Sequence, residues 1–316
     1  MSDKHQALQV RSADAAGIAA AAEMLRAGAL VALPTETVYG LAARADSAQA
    51  VAAIYRAKGR PDFNPLIVHV ASLDQAKQLA VMDDRARALA GAFWPGALTM
   101  VLPLRSGARI APAVTAGLPT IALRCPAHPV MRAVLEQSGL ALAAPSANRS
   151  GGISPTRADH VAASLGGKVG LILDGGACAA GIESTIVALR EAGGWQVLRP
   201  GPITTAQIST VLGGEDDVTA AGGIEAPGQL ASHYAPGKPV RLGALSAAPD
   251  EFLIGFGEVS GEVSLSESGD LAEGAAQLYA CLHLAAAAAQ PRIAIAPIPE
   301  LGIGAAINDR LRRAAV

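Results

Sequence analysis

The chain has 316 residues, of which 27 are acidic and 25 are Lys or Arg, so its formal net charge is −2. This balance excludes an extended basic surface for nucleic acid, although it is compatible with a local basic patch. Hydrophobic residues make up 51% of the chain but aromatic residues only 3%, which predicts a core of small side chains and argues against an aromatic platform for single-stranded nucleic acid. The length allows two domains or one large one.

The sequence contains no pattern for export or membrane insertion. Its first residues lack the apolar stretch of a signal peptide, and charges such as Glu23 interrupt the apolar segments. Cys125, Cys178 and Cys281 are isolated and lack the spacing of metal ligands, which favours free buried thiols in a reducing compartment. We therefore expect a cytoplasmic protein without a membrane segment.

The first predicted elements lead to a turn that is rich in polar groups. A helix capped by Ser12 ends at Gly28, and a short buried strand follows over residues 30–33. The next turn, residues 34–40, carries three hydroxyl groups and the carboxylate of Glu36. Open α/β sheets bind ligands at such strand ends, so this turn is a candidate binding site.

A second predicted helix brings two cations to the following turn. The helix begins after Ser47 and ends before Pro61, so Lys58 and Arg60 lie at its carboxyl end. Two interpretations of Lys58 are open, because a cation there either complements the helix dipole or binds an anionic ligand.

Two later strands carry buried polar side chains. In the strand over residues 66–70, alternation places His69 on the face opposite to its apolar neighbours. In the strand over residues 120–125, Arg124 needs a partner, because an unpaired buried guanidinium is too costly. Two interpretations are possible: Arg124 forms a structural ion pair with Asp or Glu, or it binds a substrate carboxylate through two hydrogen bonds. Between these strands we expect helices over residues 72–79 and 83–93 and a strand over 98–104.

Small polar residues follow the next strand, residues 140–144. Ser146 and Asn148 in this turn suit contact with phosphate, although both are also ordinary turn residues. Further along we expect a helix from Arg157 and strands near residues 169–173, 185–187 and 197–199.

The composition changes near Gly213. Residues 213–238 are rich in Gly, Ala, Pro and acidic residues and predict a linker, within which a His233–Tyr234 pair stands between prolines. Residues 239–316 predict a second, smaller α/β domain without a dinucleotide-binding fingerprint. Its expected strands are residues 240–242, 252–256, 263–265 and 292–296, and its expected helices are 271–288 and 303–315.

Several of these segments together resemble the signature of the YrdC-type threonylcarbamoyl-AMP synthases. The resemblance covers nearly all of the chain and includes the long, two-domain form of the family. It implies a YrdC-like twisted mixed sheet with flanking helices over residues 1–212, a linker that acts as a lid over the active site, and a C-terminal Rossmann-like domain. The matching motifs are Pro34–Leu41 (PTETVYGL), Lys58–Pro61 (KGRP), Asn64–His69 (NPLIVH), Ser146–Asn148 (SAN), Gly181–Val187, Val197–Gly201, Ala226–Pro236 and Gly302–Leu311.

The resemblance also implies a reaction. Members of this family condense L-threonine, bicarbonate and ATP to threonylcarbamoyl-AMP and release pyrophosphate, with Mg²⁺ sharing the phosphate charge. A separate tRNA threonylcarbamoyl transferase complex then uses the product to form N6-threonylcarbamoyladenosine in tRNA next to the anticodon.

The residues that match the family motifs imply three groups of contacts. No metal ligand among the side chains is implied. The pyrophosphate group is Lys58, Arg60, Ser146 and Asn148; the ATP group is Arg60, Asn64, Thr120, Ser146, Ser154, Arg199 and Tyr234; and the L-threonine group is Thr37, His69, Arg124, Ala144 and Ser184.

Two other functions are weighed against this one. An RNA-binding module without its own ATP chemistry is the alternative, with the net charge of −2 against it. A carbamoyl-transfer enzyme of hydrogenase maturation would require zinc-finger cysteines, which the sequence lacks.

Overall fold

Two β-sheets organise the protein in the computed structural model, which describes residues 8–190, 193–214, 225–229 and 233–316. The first sheet lies within residues 9–199 and the second within residues 240–295. We refer to these two parts of the chain as the first and second units.

The sheet of the first unit is mixed and has the strand order β1-β8-β2-β3-β7-β4-β6-β5-β9-β10. Its central strands β4 and β6 are parallel, whereas β3 and β7 pair with their neighbours in antiparallel fashion. The strands are β1 (Gln9–Ser12), β2 (Val31–Leu33), β3 (Gly40–Arg44), β4 (Ile67–His69), β5 (Leu98–Pro103), β6 (Thr120–Arg124), β7 (Leu142–Ala143), β8 (Leu171–Asp174), β9 (Thr185–Leu189) and β10 (Trp195–Arg199).

Helices flank this sheet, and several begin where their sequences predict. Ser47 and Ser72 accept the expected capping hydrogen bonds, and Gly59 adopts a left-handed conformation at the end of its helix. The helices are α1 (Ala15–Arg26), α2 (Ala48–Lys58), α3 (Leu73–Leu79), α4 (Asp84–Phe93), α5 (Pro112–Thr115), α6 (Pro129–Ser138), α7 (Ala158–Leu165) and α8 (Thr205–Leu212).

The structure corrects parts of the sequence prediction. Asp14, not Ser12, caps α1, because the residues before Asp14 extend into β1. The segment Gly40–Arg44, expected to be part of a turn and the approach to a helix, is β3, which pairs with β2 and β7. Helices α5, α6 and α8 were not predicted.

The second unit is a small parallel α/β layer, as its sequence predicts. The strand order is β11-β14-β12-β13, and every pair in it is parallel. Parallel strands need crossover connections, and α9 supplies one of them. Its elements are β11 (Val240–Leu242), β12 (Glu251–Gly255), β13 (Val263–Ser264), α9 (Leu271–Ala287), β14 (Arg292–Ile295) and α10 (Gly304–Ala314).

The two units share buried apolar contacts. Val38, Ile153 and Ile182 of the first unit belong to the same hydrophobic cluster as Leu278 of α9. They approach closely at Gly181, where an added Cβ would lie 2.4 Å from the Cα of Ala276. Since this contact joins backbone to backbone, the position has no room for a side chain.

The structure also bears on the cysteines and on membrane insertion. Cys125, Cys178 and Cys281 are free and buried, as predicted. Within the described ranges, no helix combines the length and apolar character that a membrane span requires.

Candidate functional site

The candidate site lies on the sheet face that β4 and β6 share. The register of these strands pairs Ile67 with Ala122 and His69 with Arg124, so these side chains point to one side of the sheet. Ile67, His69 and Arg124 line a cavity near the strand ends, where α/β sheets bind ligands. Nine of the predicted site residues line this cavity: Thr37, Arg60, His69, Arg124, Ala144, Ser146, Ser184, Arg199 and Tyr234.

Arg124 pairs with a carboxylate of the protein itself. Its Nη2 lies 2.7 Å from Oε1 of Glu36, Nη1 donates to the hydroxyl of Thr37 at 2.9 Å, and Nε donates to the carbonyl of Gly96 at 3.1 Å. Burial opposes ionisation of Glu36, but Arg124 outweighs this effect and lowers the pKa of Glu36 to about 2. The structural ion pair is therefore present, and the five N–H groups of a guanidinium leave capacity for a further acceptor.

His69 lies beside this ion pair as a neutral side chain. Burial, reinforced by the nearby charge of Arg124, lowers the pKa of His69 to about 3. Its Nδ1 is buried and has no hydrogen-bond partner among the described residues. A general base works best with a pKa near the working pH, so His69 is better suited to hydrogen bonding with a ligand than to proton abstraction at pH 7.

Ser184 connects the Arg124 end of the cavity to Arg199. The Ser184 hydroxyl lies 2.7 Å from that of Thr99 on β5, and Arg199 Nη2 donates to it at 3.1 Å. Arg199 Nε also donates to the Ser184 carbonyl at 3.0 Å. These bonds fix the turn before β9 against the end of β10.

Arg60 lines the cavity, whereas Lys58, two residues before it, is not among the described lining residues. The Lys58 ammonium donates to the carbonyls of Ser146 and Asn148 at 2.6 and 2.5 Å, and therefore holds the turn after β7. Burial lowers the pKa of Lys58 well below its ordinary value. Arg60 donates to Asn64 Oδ1 at 2.6 Å, and burial lowers its pKa to about 10.

The other predicted residues support or border the site but are not among its described lining residues. Asn148 donates to the carbonyl of Gly152 at 2.8 Å, and Ser154 donates to Glu183 at 2.5 Å. Thr120 begins β6, four residues before Arg124, which places it about 13 Å away along the strand. Asn64 lies just before strand β4, which runs parallel to β6. Asn64 and Thr120 are therefore both at the amino-terminal end of this strand pair.

Four described residues of the segment predicted as a lid, Pro227, Gly228, His233 and Tyr234, line the cavity. Ala226 is buried against the sheet in a cluster with Ile67 and Ala122. Tyr234 is fully buried with a hydroxyl that has no partner among the described residues. Residues 215–224 and 230–232 of the predicted linker lie outside the described residues.

Glu183 is a site residue whose role the sequence did not indicate. It lines the cavity, and its carboxylate accepts hydrogen bonds from Ser154 of the first unit and from Tyr279 and Arg310 of the second. Burial opposes its ionisation, but Arg310 and Arg199 outweigh that effect and lower its pKa to about 2. Because the partners of Glu183 are distant in sequence, no local motif could have identified them.

The charges around the cavity favour an anionic ligand. Glu36 pairs with Arg124, and Glu183 pairs with Arg310. Within the described ranges, the salt bridges do not include Lys58, Arg60 or Arg199, all of which bond to neutral oxygens instead. Buried cations without carboxylate partners are costly, and a phosphate chain would neutralise them.

Comparison with known proteins identifies the family of each unit. Residues 23–201 match a family model described as "Telomere recombination", whose name includes Sua5 and YrdC. Residues 203–316 match the model "Threonylcarbamoyl-AMP synthase, C-terminal domain". Both units are therefore assigned to recognised families.

Curated relatives and a solved structure extend the match. A threonylcarbamoyl-AMP synthase of Bacillus subtilis is 46% identical over 71% of this chain and 66% of that protein. The synthase of Pyrococcus abyssi is 39% identical over 93% of this chain and 92% of that protein. The crystal structure of P. abyssi Sua5 with L-threonine superposes with a TM-score of 0.87 at 35% identity and covers 98% of this chain and 97% of that chain. The chain belongs to the threonylcarbamoyl-AMP synthase family.

Proposed function

We propose that this cavity binds L-threonine at its Arg124 end and ATP at its Arg60 end, and that it joins them through bicarbonate to form threonylcarbamoyl-AMP. The observation that carries the proposal is a set of three cations that bond only to neutral oxygens: Lys58 and Arg199, which are buried, and Arg60, which is half-buried. A triphosphate supplies the negative charge that this end of the cavity lacks.

The Arg124 end fits the amino acid. Arg124 has N–H capacity beyond its bonds to Glu36 and Thr37, and a carboxylate is the acceptor that a guanidinium matches best. The Thr37 hydroxyl, the neutral ring of His69 and the Ser184 hydroxyl offer partners for the small polar groups of threonine. The backbone of Ala144 completes this wall.

The protein contributes to this reaction mainly by positioning the reactants. The threonine nitrogen forms a bond to the carbon derived from bicarbonate, with loss of water, and gives a carbamate. A carbamate oxygen then attacks the α-phosphorus of ATP, the bond from that phosphorus to the bridging oxygen breaks, and pyrophosphate leaves. Lys58, Arg60, Ser146 and Asn148 would hold the leaving phosphates, and fixed cations favour this step by stabilising the charge that develops on them.

Mg²⁺ would enter as part of the nucleotide. Within the described ranges, no group of three His, Cys, Asp or Glu side chains is placed to hold a metal ion. The cavity carboxylates, Glu36 and Glu183, are both held in ion pairs. The residues therefore do not form a protein site for the ion, and Mg²⁺ bound by the phosphates of ATP fits the donor set better.

The test is the release of pyrophosphate by the full chain. We expect release to require ATP, L-threonine and bicarbonate together, and to depend on Mg²⁺. Omission of threonine or bicarbonate is the matched control for contaminating ATPase activity. Formation of N6-threonylcarbamoyladenosine after addition of a tRNA threonylcarbamoyl transferase complex and tRNA would identify the product.

An RNA-binding function without ATP chemistry gives the opposite result. Pyrophosphate release would then be absent or indifferent to threonine, and tRNA would bind with an affinity that falls steeply with salt. The net charge of −2 does not favour this outcome.

A further inference from the structure

A carboxylate in the wall of the cavity is held by side chains from the second unit. Glu183 Oε1 accepts the hydroxyl of Ser154 at 2.5 Å, while Oε2 accepts the hydroxyl of Tyr279 at 2.8 Å and Nε of Arg310 at 2.9 Å. Tyr279 lies on α9 and Arg310 on α10. A buried carboxylate of the first unit is therefore neutralised mainly by the second.

Arg310 also contacts the segment predicted as a lid. It is fully buried, and its guanidinium carbon lies 5.5 Å from the ring centroid of Tyr234. A cation at this distance from an aromatic face is attracted to it. The Tyr279 ring lies 5.6 Å from the Tyr234 ring, so both second-unit residues touch Glu183 and Tyr234 together.

Tyr234 needs such external support. Its φ angle is 65°, in the left-handed region that residues other than glycine seldom adopt. Such a conformation persists only when its surroundings hold it. Its buried hydroxyl, without a partner among the described residues, lines the cavity and would be available to a ligand.

We propose that Arg310 and Tyr279 are positioning residues that fix Glu183 and Tyr234 at the ATP end of the cavity. This inference rests on the proposed function, because it assumes that ATP is the ligand at this end of the cavity. The threonine contacts are held within the first unit, because Arg124 bonds to Glu36 and Thr37. The hydroxyl of Ser184, next to Glu183, is likewise held by Thr99 and Arg199 of the first unit. The second unit therefore sets the affinity for ATP and leaves that for threonine unchanged.

Two conservative variants test the proposal in the full chain. Tyr279→Phe removes one hydroxyl, and Arg310→Lys keeps a positive charge but loses the planar guanidinium. We expect each to raise the KM and the Kd for ATP about tenfold, the scale of a hydrogen bond to a charged group, while the KM for threonine changes less than about twofold. Arg312→Met is the matched control, because Arg312 lies on the same helix and its side chain is 57% exposed.

A second measurement does not depend on activity. The backbone N–H groups of His233 and Ala235 donate to the carbonyls of Arg313 and Gly151. Hydrogen exchange at these amides should become faster in Tyr279→Phe and Arg310→Lys but not in Arg312→Met. If Arg310→Lys fails to fold, Tyr279→Phe decides, since it leaves the ion pair of Glu183 intact.

The outcomes separate the two proposals. Equal losses of ATP and threonine affinity, or unchanged exchange at His233 and Ala235, would overturn the positioning role. If the unaltered chain releases no pyrophosphate, the proposed function is wrong, and the exchange measurement still decides whether Arg310 and Tyr279 hold Tyr234.

Discussion

At the scale of single residues, Arg124 donates to one carboxylate of the protein and, in the proposed complex, to a second one. The protein carboxylate of Glu36 already holds one side of its guanidinium, and in the proposed complex the substrate carboxylate binds another. The sequence predicted that a buried Arg must have a partner, but it could not choose between these acceptors. The direction of Glu36 depends on the path of the turn after β2, which only the folded chain defines.

Arg124→Gln should therefore weaken threonine binding selectively. Loss of a charge-assisted hydrogen bond raises the KM for threonine by about 10- to 100-fold, while the KM for ATP changes little. Steady-state pyrophosphate release at varied threonine and varied ATP measures both constants. Arg132→Gln, at a more exposed arginine, is the control, and equal losses for the two substrates would contradict the assigned role.

Lys58 has a role that neither interpretation from its position at a helix end included. Its ammonium holds the carbonyls of Ser146 and Asn148 in the turn after β7, so it fixes a turn that borders the cavity. The sequence motifs predicted a phosphate contact for Lys58 but gave no indication of these carbonyls.

Lys58→Met should reduce both stability and nucleotide binding. Two buried carbonyls lose their donor, which costs about 2–3 kcal/mol of unfolding free energy, and the phosphates lose a cation. Denaturant unfolding and ATP titration measure the two effects. Lys168→Met is the control, because exposed Lys168 contacts a single carbonyl, that of Ala57, at 3.4 Å; a variant as stable as the unaltered chain would contradict the turn-holding role.

At the scale of secondary structure, the elements with clear local signals were predicted and those formed by pairing were not. Helices α2, α3 and α4 carry caps and apolar spacing that are visible in the sequence. Strand β3, with the sequence GLAAR, lacks β-branched and aromatic residues. It forms because β2 and β7 pair with it on both sides, a tertiary effect that outweighs propensity.

Helices α7 and α9 meet through a pair of histidines. The rings of His160 and His283 stack with centroids 3.9 Å apart. Burial, with the neighbouring His283, lowers the pKa of His160 from 6.5 to about 4, and burial lowers that of His283. The unfolded chain therefore binds more protons than the folded chain between these values.

Stability should fall as the pH decreases from about 6.5 towards 4. His69 and His233 act in the same direction, because burial lowers their pKa to about 3 and about 4. The lowered pKa values of Glu36 and Glu183 reduce the stability only below about pH 4.5, the ordinary pKa of a glutamate. Melting temperatures between pH 7 and 5 measure the effect, and His160→Asn should give a shallower decline. A flat profile in this range would contradict the neutral stacked pair.

At the scale of the whole molecule, the two units behave as one packed body. The cluster that joins Ile182 to Leu278 and the backbone contact at Gly181 pack the two units directly against each other. The sequence predicted a second α/β unit, but its contacts with the cavity depend on distant pairs such as Glu183 and Arg310, which no local pattern reveals.

Unfolding should accordingly occur in one cooperative transition. Ile182→Ala removes fully buried methyl groups at the contact between the units, so we expect a loss of about 2–5 kcal/mol without splitting of the transition. Calorimetry over the whole chain tests this, with Leu245→Ala, at a side chain that is 74% exposed, as the control. Two separate transitions in the unaltered chain would show that the units fold independently.

The ion pair between Glu183 and Arg310 has a consequence for the evolution of the family. A carboxylate at position 183 is tolerated because a second unit neutralises it, and without that unit it would be an unpaired buried charge. A synthase that consists of the first unit alone should therefore have a neutral residue at this position. In two-unit synthases the residues at positions 183 and 310 should change together, so their covariation across lineages would record when the two units became dependent on each other.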